Sequence, residues 1–398
     1  MRNPDHRDSL DFLCISTTGW DEIWGSRQQI MLRLAKAGHR VLFVERQVGF
    51  EHLLKHSKLR KNGISQYRIK QPVEVQGNLW RWQPPLVVPG RYYSQALNRI
   101  GQSCLAAQIR TILRQLDFES PVLWLYPPHS APLLGQFQER LSIYHCIERF
   151  SGDQRGLKKQ VMTTQEISLL SKADLVFVHS NGLQQLYTDF TRHPIEVFPS
   201  AADVKHFQRK VEIHPTMAAI PEPRLVVMGT LDSRIDFSLL RNIATIRPDW
   251  HLVLIGQLKE PSQGALSFLR LPNVHNLVQQ PFASLPSLLR GANVGLIPYQ
   301  ITEMTRYINP LKAYEYLASG IPVISTELPE LSPLSKWIRI VSVNQPSHER
   351  QTERFVEEIE AAMLADSPQL RNERRQLARE YSWDARVSRM LEVIWSRI

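Results

Sequence analysis

The chain has 398 residues, too many for one compact core and suited to two domains of ordinary size. It is 43% apolar and 22% charged, a globular balance that excludes a disordered chain, and no apolar run approaches the ~18 residues a bilayer crossing needs. The net charge of +10 favours an anionic partner (nucleic acid, an anionic lipid surface or a phosphorylated small molecule) without choosing among them.

Met1 to Ser9 is polar and lacks the apolar stretch of a secretory signal. Cys14, Cys104 and Cys146 stand far apart without metal-ligand spacing. That excludes a disulfide framework and a cysteine-based zinc site, and a reducing cytoplasm is expected.

In chain order, Leu10–Thr17 reads as an apolar strand, and Ile23, Ile30, Leu34 and Ala37 recur at helical spacing up to Gly38. His39–Glu45 follows at once as a second strand. A helix stopped by Gly between two such strands predicts a βαβ unit, and hence a parallel sheet. Further strands are expected at Pro121–Tyr126, Leu141–Glu148, Asp174–Ser180 and Ile195–Pro199, with a helix over Leu157–Ser171. Periodicity lapses between Gln208 and Pro223, where Pro215, Pro221 and Pro223 fall, so 208–223 is the expected linker between domains 1–207 and 224–382. The alternation then restarts with strand Leu225–Met228, helix Phe237–Ile246 and strand His251–Ile255. Strand Asn273–Val278, helix Ser284–Ala292, strand Val294–Pro298, helix Pro310–Ser319 and strand Pro322–Ser325 follow. Helices Ser347–Ala365, Pro368–Tyr381 and Trp383–Ser396 close the chain, and 383–398 is expected to pack back on the N-terminal domain. The fold class is therefore α/β, with two doubly wound sheets whose strand ends face a cleft.

The stretch Thr305 to Gly320 is the most informative. Asn309 is expected to be the N-cap and Pro310 the first helical residue, leaving the amides of Leu311 and Lys312 free at the helix end. Lys312 occupies the first turn, where a cation opposes the helix dipole. Such a lysine makes sense if an anion such as phosphate is held there. Glu315 lies one turn on, where a carboxylate can accept from a ribose diol. The plainer reading is an i,i+3 Lys–Glu pair on a surface helix.

Pro310-Leu311-Lys312-x-x-Glu315-Tyr316-Leu317-Ala318-x-Gly320-x-Pro322-Val323-Ile324-Ser325 closely resembles the donor-binding segment of GT-B glycosyltransferases, nearest to the group 1 assembly (family four). Gly229-Thr230-Leu231-Asp232-Ser233-Arg234-Ile235-Asp236 is similar to that family's first loop of the C-terminal domain, and Phe198-Pro199-Ser200-Ala201-Ala202-Asp203-Val204-x-x-Phe207 to its lead into the linker. The start, Trp20-Asp21-Glu22-Ile23-Trp24-x-x-Arg27 and Gly38-His39-Arg40-Val41-Leu42-Phe43-Val44-Glu45, resembles a bacterial polysaccharide-assembly branch. One departure stands out: of two glutamates the family spaces eight apart, the first aligns with Tyr307 and only Glu315 remains.

The resemblance implies a GT-B fold of two Rossmann-like domains. It also implies transfer of a sugar from a nucleoside-diphosphate sugar, without metal or cofactor and with retention, to a saccharide or lipid-linked acceptor. Gly229, Arg234, Arg306, Tyr307, Asn309, Pro310, Leu311, Lys312 and Glu315 are the expected donor-binding residues. Lys312, the Leu311 amide and Arg234 are expected to stabilise the leaving diphosphate. A base for the acceptor hydroxyl is expected from His145 and Glu148, with His129, Asp21 and Glu22 as alternatives. The basic stretch His52–Lys61, with Arg68, Arg155, Lys158 and Lys159, suggests contact with anionic lipid on the inner face of the cell membrane. A nucleotide-sugar 2-epimerase and a catalytically silent homologue are the alternatives. A nucleic-acid-binding role is disfavoured, since no zinc finger, RNA-recognition motif or lone basic helix appears.

Overall fold

The computed structural model describes residues 9–22, 24–48, 71–86, 90–152, 154–259 and 261–398. Ile23, the basic stretch 52–61 and Arg68 lie outside them. The chain divides into two compact units: unit 1 comprises Met1–Phe198 with Val387–Ile398, and unit 2 comprises Pro199–Arg386.

Unit 1 is an eight-stranded sheet in the order β3-β4-β2-β1-β5-β6-β7-β8. Its strands are β1 (Asp11–Ile15), β2 (Arg40–Val44), β3 (Val73–Gln76), β4 (Leu79–Trp82), β5 (Val122–Leu125), β6 (Leu141–Cys146), β7 (Leu175–Val178) and β8 (Ile195–Val197). All neighbours run parallel except β3 and β4. Runs such as Val-Leu-Trp-Leu in β5 are buried throughout, because helices cover both faces of a parallel sheet. The helices are α1 (Ser26–Lys36), α2 (Gln95–Gln115), α3 (Gly156–Lys172) and α4 (Asn181–Tyr187).

Unit 2 is a six-stranded sheet in the order β11-β10-β9-β12-β13-β14, parallel at every pairing. Its strands are β9 (Arg224–Met228), β10 (His251–Ile255), β11 (Val274–Asn276), β12 (Val294–Ile297), β13 (Val323–Thr326) and β14 (Ile338–Val341). Around it pack α5 (Val204–Phe207), α6 (Pro215–Ala218), α7 (Phe237–Ile246), α8 (Gln263–Phe268), α9 (Leu285–Arg290), α10 (Leu311–Ser319), α11 (His348–Ala365) and α12 (Pro368–Glu380). The last helix, α13 (Trp383–Trp395), groups with unit 1 from Val387 onward, and its Trp395 ring lies 6.4 Å from that of His39.

The segment 208–223, expected to be a linker, is instead built into unit 2. Met217 and Ile220 are buried in that unit's core, and the His214 amide donates to Ser287 O (3.0 Å). The change of unit falls earlier, between Phe198 and Pro199. Prolines broke the periodic pattern there, yet one of them, Pro215, opens the short helix α6.

Candidate functional site

The strand order of unit 2 reverses between β9 and β12, so the loops leaving these two strands diverge and open a crevice at their carboxyl ends. Every residue of the candidate donor site comes from this point. Gly229 follows β9 with φ +108°, a backbone state that a side chain disfavours. Its amide donates to Ile255 O at the end of β10 (2.9 Å). A Cβ on Gly256 would lie 1.7 Å from Gly229 O, so the two turns touch through glycine alone.

The second half of the site is α10. Tyr316 fixes its position: the hydroxyl accepts from the Met228 amide (2.8 Å) and donates to Val226 O (3.2 Å). The ring packs where a Cβ on Gly295 of β12 would stand, 2.6 Å away. One turn earlier on the same helix, this anchor puts Lys312 beside Gly229; a Cβ there would meet Nζ at 3.2 Å and Cε at 3.3 Å.

Lys312 is 7% exposed, and its ammonium has no hydrogen-bond partner among the described residues. It lies over the face of Tyr299, 4.9 Å from the ring centroid. Tyr299 is held in turn by Thr326, whose Oγ1 accepts from its amide (3.2 Å) and donates to its carbonyl (2.8 Å). Ala313 N donates to Pro310 O (3.0 Å), leaving the first two amides of α10, those of Leu311 and Lys312, without a backbone acceptor among the described residues. A buried ammonium, two free amides and a left-handed glycine converge here, which is the equipment for holding an oxyanion.

Glu315 is buried on the same helix. Burial pushes its carboxyl up to about 7, with the Lys312 charge pulling the other way. No donor among the described residues reaches its oxygens, so they are open to a hydroxyl from a ligand.

Asn309 is not the N-cap. That position is Pro310, in extended backbone, with no side-chain cap. The Asn309 side chain accepts from the Ser200 amide (2.9 Å) and donates to Glu330 O (3.4 Å), while its carbonyl accepts from Ser200 Oγ (2.8 Å). Asn309 thus staples the segment before α10 to the start of unit 2. Arg234 is committed to a two-point pair with Asp232, at 2.8 and 2.6 Å. Burial pushes the Asp232 carboxyl up, but the bonds and charge of Arg234, with Lys312, outweigh it and hold it below the usual range. Arg306 is exposed and Tyr307 half-buried in a single turn of 3-10 helix ahead of α10.

In unit 1 the expected base His145 lies in the core at 2% exposure. Its ring stacks on Tyr126 (5.1 Å) and tilts against Trp124 (5.7 Å), with Phe177 edge-on (5.9 Å). The alternation of β6 turns this position into the layer of rings beneath the sheet edge, which argues against a reach to any acceptor hydroxyl. Glu148 lies past the end of β6 and is half-buried. His129 is buried, and burial together with the charge of Arg91 holds its imidazole well below the ordinary value. Asp21 pairs with Arg81 and Glu22 with Arg46.

Arg27, in the first turn of α1, gained no role from sequence. Its guanidinium lies 5.3 Å from the Tyr126 ring centroid, its Nε is buried without an acceptor among the described residues, and burial lowers its pKa. The signal was the one that singled out Lys312, a cation in a helix's first turn. Among the described residues no group of three or more His, Cys, Asp or Glu is arranged to hold a metal ion, and no helix is long and apolar enough to cross a membrane.

Residues 222–343 match the family model for glycosyl transferases group 1. Over 230 residues the chain is 24% identical to TuaH of Bacillus subtilis (strain 168), whose name assigns it to teichuronic acid biosynthesis as a glycosyltransferase. That match covers 54% of this chain and 57% of TuaH, so it spans little more than half of either. Among solved structures, sucrose-phosphate synthase from Thermosynechococcus elongatus has a TM-score of 0.70 at 15% identity, over 97% of this chain and 98% of that one. A glycosyltransferase from Rickettsia africae gives 0.65 at 12%, over 98% and 99%. An E. coli trehalose-6-phosphate structure bound with UDP-2-fluoro glucose gives 0.64 at 12%, over 96% and 98%. Likeness at such identities is one of fold, and that fold is GT-B.

Proposed function

We propose, from the premise that residues 222–343 make this chain a group 1 glycosyltransferase of GT-B fold, that it moves a sugar from a nucleoside-diphosphate sugar to a saccharide or lipid-linked acceptor in cell-surface polysaccharide synthesis. One observation carries the reading: the buried ammonium of Lys312, unpartnered among the described residues, beside Gly229 at the strand-order reversal of unit 2. Folding alone does not favour a buried charge without a partner. A bound diphosphate supplies the missing anion.

In this reading the diphosphate lies against Lys312 Nζ and the Leu311 and Lys312 amides, and the Glu315 carboxylate accepts from the ribose diol. The bond that breaks joins the anomeric carbon to the diphosphate oxygen, and its electron pair leaves with the diphosphate. Negative charge therefore grows where the ammonium already stands, so stabilisation is greatest in the transition state. The acceptor hydroxyl forms the new bond to the anomeric carbon. With retention of configuration, the departing phosphate oxygen takes the hydroxyl proton, and no protein base is required. The burial of His145 supports that route.

Lys312 then does the work that a divalent cation does elsewhere, which supports a metal-independent reaction with no cofactor. The basic stretch 52–61 and Arg155, Lys158 and Lys159 support a peripheral position on the cytoplasmic face of the membrane. The name of TuaH favours an acceptor in polysaccharide assembly, and these likenesses do not favour the epimerase alternative.

The test is calorimetric titration of the full chain with UDP, GDP, ADP and TDP. At least one should bind saturably and lose affinity in Lys312→Ala. Absence of binding by all four would remove the donor assignment. Incubating the donor alone separates transferase from epimerase, since only an epimerase alters the sugar.

A further inference from the structure

Unit 1 holds a second buried cation that the reading above does not use. Arg91, in the segment before α2, is 5% exposed. No carboxylate lies within ion-pair distance of it among the described residues, and its acceptors are both neutral. Nη1 donates to Gln47 Oε1 (3.2 Å) and Nη2 to the Gln47 carbonyl (2.9 Å). Two of the five N–H donors of a guanidinium are thereby spent. Nε is buried with no acceptor among the described residues.

The surroundings fix this arrangement without neutralising it. Gln47 is clamped by Gln102, through bonds of 2.9 and 3.2 Å between their amides. Gln165 of α3 donates to Arg91 O (3.0 Å), and Asn98 of α2 donates to His129 O (2.9 Å). The Tyr92 ring lies 4.8 Å from the guanidinium carbon, and Lys158 Nζ lies 5.4 Å from the same ring. Burial, with the Arg91 charge beside it, holds the His129 imidazole neutral.

Position adds a second argument. Gln47 follows β2 and His129 follows β5, so the cluster stands at the carboxyl edge of the unit 1 sheet. The strand order there reverses between β1 and β5, which is where open α/β sheets bind ligands. A guanidinium held rigid by glutamines, with Nε and one N–H on each Nη left over, matches paired oxygens of a phosphate or carboxylate.

We propose that Arg91 anchors an anion-binding site in unit 1, which takes an oxyanion group of the acceptor, either a phosphate or a uronate carboxylate. The word acceptor rests on the transferase reading; the anion site does not. Arg91 positions this group and takes no part in bond making.

Thermal unfolding of the full-length protein tests the proposal, with inorganic phosphate and glucuronate as probes and sodium chloride at equal ionic strength as the control. The Lys312→Ala background removes the donor-side response. In that background at least one probe should raise Tm beyond the salt control, and adding Arg91→Gln should abolish the rise. A response to phosphate alone assigns a phosphorylated acceptor, and a response to glucuronate alone assigns a uronate.

Arg91→Lys keeps the charge and the fold but loses the fork, and should weaken the probe about tenfold or more. No response above salt, or a response that survives both Arg91 substitutions, overturns the proposal. Stabilisation of the wild-type chain by UDP, GDP, ADP and TDP is read separately. If none of the four stabilises it while the Arg91-dependent rise persists, the transferase reading fails and the anion site stands.

Discussion

Replacing Lys312 by methionine should make the protein more stable and less active at once. The ammonium is 7% exposed and has no hydrogen-bond partner among the described residues, so its desolvation is offset only by the Tyr299 ring and by charges further off. Exchanging buried charge for an apolar side chain of similar volume is commonly neutral or stabilising by ~1–4 kcal/mol. Glu315 does not reverse the sign. With Lys312 gone only burial acts on its carboxyl, which climbs above about 7 and is protonated near neutral pH, leaving no stranded anion. Each kcal/mol should raise Tm by about 2–4 °C in a domain of this size. Loss of the diphosphate's cation should cost ~2–4 kcal/mol in the transition state, roughly 30- to 1000-fold in rate. The assays are thermal unfolding without ligand, nucleoside-diphosphate affinity by calorimetry, and single-turnover transfer with the donor found by titration. Unchanged diphosphate affinity and rate in the variant would refute the assignment. A fall in Tm would show that the ammonium is satisfied by the fold itself.

The pH dependence of stability follows from Glu315. Burial raises its carboxyl from 4.5 to about 7, so between those values the folded chain keeps a proton that the unfolded chain has released. Stability should therefore fall by about 3 kcal/mol as pH rises from 4.5 to 7 and level off above, and urea midpoints of Glu315→Gln should lack that slope. Gly256→Ala should cost several kcal/mol (about 2–4) and disrupt donor binding, because its Cβ would stand 1.7 Å from Gly229 O; chemical denaturation and calorimetry on the same sample measure both. His145→Phe should keep transfer within a few-fold, since the ring lies sealed among Trp124, Tyr126 and Phe177, and a loss beyond about 100-fold would restore it as a base. Treatment with EDTA should leave transfer rates intact, and a loss restored by one added divalent ion would overturn metal independence.

Much of the architecture was legible because parallel strands are buried on both faces and write themselves as unbroken apolar runs, as in β9, β10 and β12. The elements that escaped lack that imprint. Strand β3 is exposed at all four residues and β14 exposes Arg339 at the sheet's edge, so neither shows a continuous run. Helix α2 went unread although it is 21 residues long. Its outer face carries Leu97 and Ile100, 38% and 55% exposed, and these blur the stripe formed by Leu105, Ile109 and Ile112. At the site, the first-turn lysine and the glutamate one turn on were readable from local rules. The role of Asn309 was not, because its Oδ1 is claimed by the Ser200 amide, 109 positions away in the chain. Arg91 left no local signal at all, since an arginine in a loop is ordinarily solvated and only the fold buries it.

Both units break the same rule of helix electrostatics in the same kind of place. Helices α1 and α10 have no acidic residue in their first turn, and each carries a cation there against the dipole, Arg27 and Lys312. Each cation lies over a tyrosine that follows a strand flanking the sheet's strand-order reversal, Tyr126 after β5 and Tyr299 after β12. An aromatic face attracts a cation through its quadrupole yet leaves the N–H donors uncommitted, whereas a carboxylate would consume them. A ring is therefore the suitable cover for a charge that must stay buried and remain available to a ligand. Arg234 shows the contrast, since its Nε and Nη2 already donate to the Asp232 carboxylate.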